Sequence, residues 1–198
     1  MMADVYLAGV GGQGIITAAR IIGDAAINAG LNVLLSETHG MAQRGGSVVC
    51  TARIGDVHSP LIPDGQADVI LSFELLETMR ALCAASKKTV IISSTDKMVP
   101  MSVTTGKLHY PTPDEVATAA KKVAGKFLAV DTSKLARDAG TPMASNVVMV
   151  GALAGTGITG IDKKHFESAV AANVPRMVEV NLKAFGLGLE ASTRLLAK

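Results

Sequence analysis

The chain has 198 residues, 48% of them apolar but only 3% aromatic, with no tryptophan and a net charge of +2. That length suits one generous domain with its own core, and the near-neutral charge with scattered lysines makes no electrostatic case for nucleic acid or an anionic membrane. No apolar run reaches the ~20 residues of a membrane helix and residues 1–4 show no secretory leader, so the expectation is a cytoplasmic protein whose core is Ala, Val, Ile, Leu and Met, the palette of aliphatic parallel strands covered by helices.

In chain order, residues 5–9 read as a strand ending in glycine. Ile15, Ile16, Ala19, Ile22, Ala26 and Ile27 then recur at helical spacing until Gly30. Residues 32–37 read as a second strand, making 4–37 a βαβ unit, and 38–46 as a loop. Val48, Cys50, Ala52 and Ile54 alternate with Thr51 and Arg53 as in a half-exposed strand. After a proline-containing loop, 67–73 is a buried strand, 74–85 a helix and 89–93 another buried strand. Thr112-Pro113-Asp114-Glu115 has the signature of a capping box. A strand at 127–130 follows, then a short helix that begins at Asp131-Thr132-Ser133 and ends at Gly140. From Pro142 onward only helical periods occur, at 146–154, 163–172 and 176–196. The expected fold is a three-layer α/β/α domain over residues 1–198, with a mainly parallel sheet, a Rossmann-like first βαβ unit and a helical C-terminal quarter.

Gly9-Val10-Gly11-Gly12-Gln13-Gly14 fits G-x-G-x-x-G between a strand and a helix, and Glu37 ends the next strand, where a ribose-binding acid would stand. Glycines permit a tight turn, and a helix N-terminus offers N–H groups and a positive dipole end to an anion. Three readings stay open: a dinucleotide site of a small NAD(P)- or flavin-binding oxidoreductase, a site for another phosphate-bearing group, and close helix–sheet packing alone.

The second loop gathers His39, Gln43 and Arg44 with Gly45, Gly46 and Ser47 at a strand end. Arg44 offers a planar fork for carboxylate or phosphate, and flanking glycines would let backbone N–H groups join it. A dehydrogenase fingerprint does not need such a loop. Cys50 and Cys83 sit in apolar contexts and read as buried thiols. They are too few for a four-iron cluster. His58, His109 and His165 are scattered, so no metal site is expected. Glu74 and Glu77 read as a solvated helix face, and Met41, Met143, Met149 and Met177 as core or interface filler.

The Gly9–Gly14 run, the block from Glu37 through Thr38-His39-Gly40-Met41-Ala42-Gln43-Arg44-Gly45-Gly46-Ser47-Val48, and Ser59-Pro60-Leu61-Ile62-Pro63 together resemble the gamma-type domain of the 2-oxoacid:ferredoxin oxidoreductase family. The likeness is strongest over residues 5–80. The Thr-His-Gly-Met-x-Gln-Arg-Gly-Gly block favours the indolepyruvate branch, where this domain is the small (beta) subunit. The resemblance implies an enzyme subunit inactive alone, with no cofactor of its own. A larger partner would carry thiamine diphosphate and iron–sulfur clusters, and the complex would turn a 2-oxoacid and CoA into acyl-CoA while reducing ferredoxin. His39 and Arg44 are then the candidates near the reacting centre. Gly9, Gly11, Gly12, Gln13, Gly14, Gln43, Gly45, Gly46 and Ser47 are the candidates for ligand contact. The helix at 147–154 and the loop at 38–47 carry little charge, which suggests a subunit interface, with a homodimer as the alternative for the isolated chain.

Overall fold

The computed structural model describes residues 3–39, 45–99 and 109–197, with His39 described by its backbone alone. Six strands form one sheet: β1 (Ala3–Val10), β2 (Val33–His39), β3 (Ser47–Ile54), β4 (Val69–Ser72), β5 (Val90–Ser94) and β6 (Lys126–Val130), in the order β2-β3-β1-β4-β5-β6. β1, β4, β5 and β6 pair in parallel, whereas β3 runs antiparallel to both β1 and β2. The first βαβ crossover is present, but an antiparallel strand occupies the slot between its two strands. Strand β2 also runs on to His39, two residues past the expected end, because Thr38 and His39 pair with Val49 and Val48.

Seven α-helices are described: α1 (Ile15–Asn28), α2 (Leu75–Ala81), α3 (Pro113–Val123), α4 (Thr132–Ala139), α5 (Ser145–Ala154), α6 (Lys163–Asn173) and α7 (Val178–Leu196). The strand period of two sorts β1 between two cores. Val5 and Leu7 join the larger one with α1, α5, α6 and α7, while Ala8 joins a smaller one with Ala81 and Ala120. The result is the expected three layers. Thr112 and Glu115 cap α3 reciprocally, as their spacing predicts, and α4 starts at an Asp131 cap and stops at Gly140.

Helix α5 corrects one expectation. Residues 146–153 are all buried within the chain itself, so their lack of charge reflects a helix apolar on all sides and enclosed, not a free surface. Its tight partner is α7. A Cβ on Gly151 would strike the Phe185 carbonyl, and one on Gly188 the Val148 carbonyl, so the two backbones approach only because both positions are glycine. Phe166 and Phe185 stack nearby with centroids 6.0 Å apart, worth roughly 0.5–1.5 kcal/mol beyond area burial. Strand β3 is mostly buried rather than half-exposed. Met149 is core, but Met143 and Met177 are 85% and 57% exposed. Cys83 is exposed as well, against the expectation of a buried thiol.

Candidate functional site

Parallel strands bring the C-terminal ends of β1, β4, β5 and β6 to one sheet edge, the usual ligand edge of an α/β fold. A cavity of about 490 Å³ opens there. Gly12, Gln13 and Gly14 form one wall, Asp96, Lys97 and Met98 another, and the starts of α4 and α5 close it through Thr132, Ser133, Ser145 and Asn146. Gly14 stands at the N-cap of α1 in the left-handed region, φ 75°, with no side chain to satisfy the first turn. The α1 N-terminus therefore presents backbone N–H groups and its positive dipole end at this edge. Lys97 is exposed at the rim. The Asp96 carboxylate accepts from Thr132 Oγ1 at 2.9 Å, and the Asp96 N–H donates to Ser94 Oγ at 3.0 Å. Such a cleft can cradle an anionic group, with Asp96 tied to its own framework.

The two glycine-rich loops are joined. Gly11 N–H donates to the Gly46 carbonyl and Gly45 N–H to the Gly11 carbonyl. Gly9 is packed, since a Cβ there would lie 2.7 Å from Ile15 Cδ1. Gln13 folds back, its Oε1 accepting from Val10 N–H at 2.8 Å and its Nε2 donating to the Phe73 carbonyl at 3.0 Å. It braces the end of β1 against the end of β4. Ser47 turns its hydroxyl to Glu77 Oε2 at 2.6 Å. Gln43, Arg44 and the His39 side chain lie outside the described residues, as does Met41.

Glu37 is not beside the glycine loop. Its register partner is Cys50, whose own partner on the far side is Leu7. Two strand spacings, roughly 10 Å, therefore separate β2 from β1. A ribose held by Glu37 would not share the glycine loop as in a dinucleotide site. Burial first, and the Glu37 charge second, push the Cys50 thiol up to about 11.

Sequence reasoning missed Asp96, Lys97, Ser133 and Asn146, although residues directly after β5 and β6 belong to the same edge by the parallel-strand rule. It also misplaced Glu74 and Glu77, which are 1% and 2% exposed rather than solvated. Glu74 caps α2 by accepting from Glu77 N–H at 2.8 Å. Burial pushes its carboxyl above the ordinary value, opposed by backbone hydrogen bonds from Glu77 and Met98.

The sequence model of the pyruvate ferredoxin/flavodoxin oxidoreductase family matches residues 4–191. The chain belongs to this oxidoreductase family. Indolepyruvate oxidoreductase subunit IorB of Archaeoglobus fulgidus is 44% identical over 95% of this chain and 94% of its own length. From the same organism, 2-oxoglutarate synthase subunit KorC is 26% identical over 97% of this chain and 89% of its own. Among solved structures, the keto/oxoacid ferredoxin oxidoreductase gamma subunit of Geobacter sulfurreducens PCA superposes with a TM-score of 0.71 at 27% identity, covering 99% of each chain. The oxidoreductase family thus accounts for the α/β architecture from end to end. Among the described residues, no helix is long and apolar enough to cross a membrane.

Proposed function

We propose that this chain is the small, gamma-type subunit of an indolepyruvate:ferredoxin oxidoreductase, acting in the cytoplasm as one domain beside a larger subunit. The observation that carries the substrate branch is the contrast between 44% identity to an indolepyruvate subunit and 26% to a 2-oxoglutarate subunit, each over nearly the whole chain. The complex would convert a 2-oxoacid and CoA to acyl-CoA and carbon dioxide, the electron pair leaving to ferredoxin.

The partner would hold the cofactors, a reading that the chemistry of the described residues supports. Cys50 lies inside the larger core and Cys83 on the exterior after α2, so the chain's two thiols cannot join in one cluster. Among the described residues, no group of three His, Cys, Asp or Glu side chains could hold a metal ion for a bound diphosphate. Thiamine diphosphate supplies the carbanion stabilisation that decarboxylation needs. This chain's residues would instead position an anionic part of a substrate: the α1 N-terminus at Gly12–Gly14 and Lys97 in the cleft, with Arg44 as charge donor and His39 as the proton-exchanging group of the adjoining loop.

The test is a substrate panel on the complex co-purified with its larger subunit. Indolepyruvate should drive viologen reduction at a higher kcat/KM than 2-oxoglutarate or 2-oxoisovalerate. Preference for 2-oxoglutarate would move the chain to another branch.

A further inference from the structure

We infer that Glu77 is a positioning residue, which through Ser47 sets the joined glycine loops that wall the cleft; this rests on the proposed function for its kinetic consequence, though not for its structural one. Glu77 is 2% exposed. Its carboxylate accepts from Ser47 Oγ at 2.6 Å and from Arg80 Nη1 at 2.6 Å. Taking a carboxylate out of water is costly even when paired, and an apolar side chain of similar volume usually packs as well or better. Leu75 and Ala81, on the same helix, already supply buried apolar contacts for α2. What the carboxylate adds is direction, since a charge-assisted hydrogen bond fixes the donor in place as an apolar contact does not.

The fixed donor matters because of where it stands. Ser47 opens β3 opposite Val10, the last residue of β1. One residue earlier, Gly46 accepts from Gly11 N–H, and Gly45 donates back to Gly11. Gly12 follows Gly11 into the cavity wall. A short path therefore runs from Glu77 through Ser47, Gly46 and Gly11 to the turn that starts α1. The same helical end reaches the opposite wall, where Glu74 Oε1 accepts from Met98 N–H at 3.4 Å. One turn of α2 thus carries two buried carboxylates, each tied to a different side of the cleft.

The experiment compares Ser47→Ala, Ser47→Thr, Glu77→Leu, which removes the acceptor but keeps the volume, and the Ser47→Ala/Glu77→Leu double variant. In the isolated chain, amide exchange at Gly11 and Gly45 is followed by NMR. Losing a hydrogen bond to a charged group should speed exchange roughly ten- to a hundredfold in Ser47→Ala and Glu77→Leu. The double variant should be no faster than either single, because both break one link. Ser47→Thr, which keeps the hydroxyl, should exchange as the parent does. In the complex with the larger subunit, Ser47→Ala should raise the apparent KM for CoA or for indolepyruvate while kcat at saturation is retained. Unchanged exchange, or additive effects in the double variant, would overturn the inference. Faster exchange with both KM values unmoved would overturn the kinetic consequence and leave Glu77 a structural tie between α2 and the loops. A parent complex inactive on indolepyruvate would count against the proposed function alone, since the amide exchange reads the link without turnover.

Discussion

Gly11 donates its backbone N–H to the carbonyl of Gly46 at 2.8 Å. This bond carries the β1–β3 ladder one step past the Val10–Ser47 pair, so two loops that are remote in sequence share a single edge. The shape of the G-x-G-x-x-G turn is therefore not the private property of one strand–helix junction. It depends on β3, the antiparallel strand that stands where a dinucleotide fold would place β2.

Gly14→Ala should destabilise the chain and strain the cleft together. The left-handed backbone costs a Cβ-bearing residue roughly 1–2 kcal/mol, and the added Cβ would lie 2.6 Å from Asn146 Nδ2. Urea unfolding that compares the Gly14→Ala loss in the parent with its loss in an Asn146→Ala background separates the two effects, because the Asn146 side chain itself bonds the Gly14 carbonyl and Val147 N–H. The loss should be smaller in the Asn146→Ala background, where the Nδ2 contact is gone but the backbone cost remains. Equal losses with and without Asn146 would mean that the contact does not constrain Gly14.

Arg44→Ala should weaken use of an anionic ligand without disturbing assembly. The loss of one charge-assisted hydrogen bond corresponds to roughly one to two decades in affinity. Steady-state rates of the complex against CoA and against indolepyruvate give the readout. Unchanged apparent affinity for both, with normal assembly, would remove Arg44 from the site.

What was legible in the sequence was what local chemistry decides. Alternation at Val48, Cys50, Ala52 and Ile54 marks β3 from Ser47 to Ile54, and the Thr112–Glu115 box starts α3 where it should. Non-local choices were not legible. The insertion of β3 between β1 and β2 is a pairing decision, and it alone moves Glu37 away from the glycine loop. Glu74 and Glu77 sit at helical spacing, but spacing does not say which face meets the sheet. Their burial rests on distant partners, Ser47 and Met98. Asp96 and Lys97 belong to no periodic pattern, so only the strand order brings them to Gly14. The uniformly apolar stretch at 147–153 carried its own answer, because a helix apolar on every side is enclosed.

The two cysteines should differ sharply in reactivity. Cys83 is exposed, whereas Cys50 is buried with its thiol pushed up to about 11, and the thiolate is the reacting form. Native chain treated with a neutral-pH alkylating reagent should carry one label, at Cys83 by peptide mapping, and a second only after denaturation. Rapid native labelling of Cys50 would contradict its placement in the larger core.

Glu74 should make stability depend on pH. Its carboxyl is raised above the ordinary 4.5 by burial, so the folded state holds the proton more tightly than the unfolded chain does. That contribution is fully present below pH 4.5 and is lost as pH rises through the folded value. Glu74→Gln removes the loss, so its stability relative to the parent should improve as pH rises above 4.5 in urea titrations. A difference that stays constant with pH would show that burial does not govern this group.

If this chain completes the site of a larger subunit, neither should turn over well alone. The direct measurement titrates the purified larger subunit with this chain and follows indolepyruvate-dependent viologen reduction. Activity should be slight for either alone, rise with added chain and saturate at a fixed ratio. Full turnover by the larger subunit without this chain would mean that the chain does not complete that site.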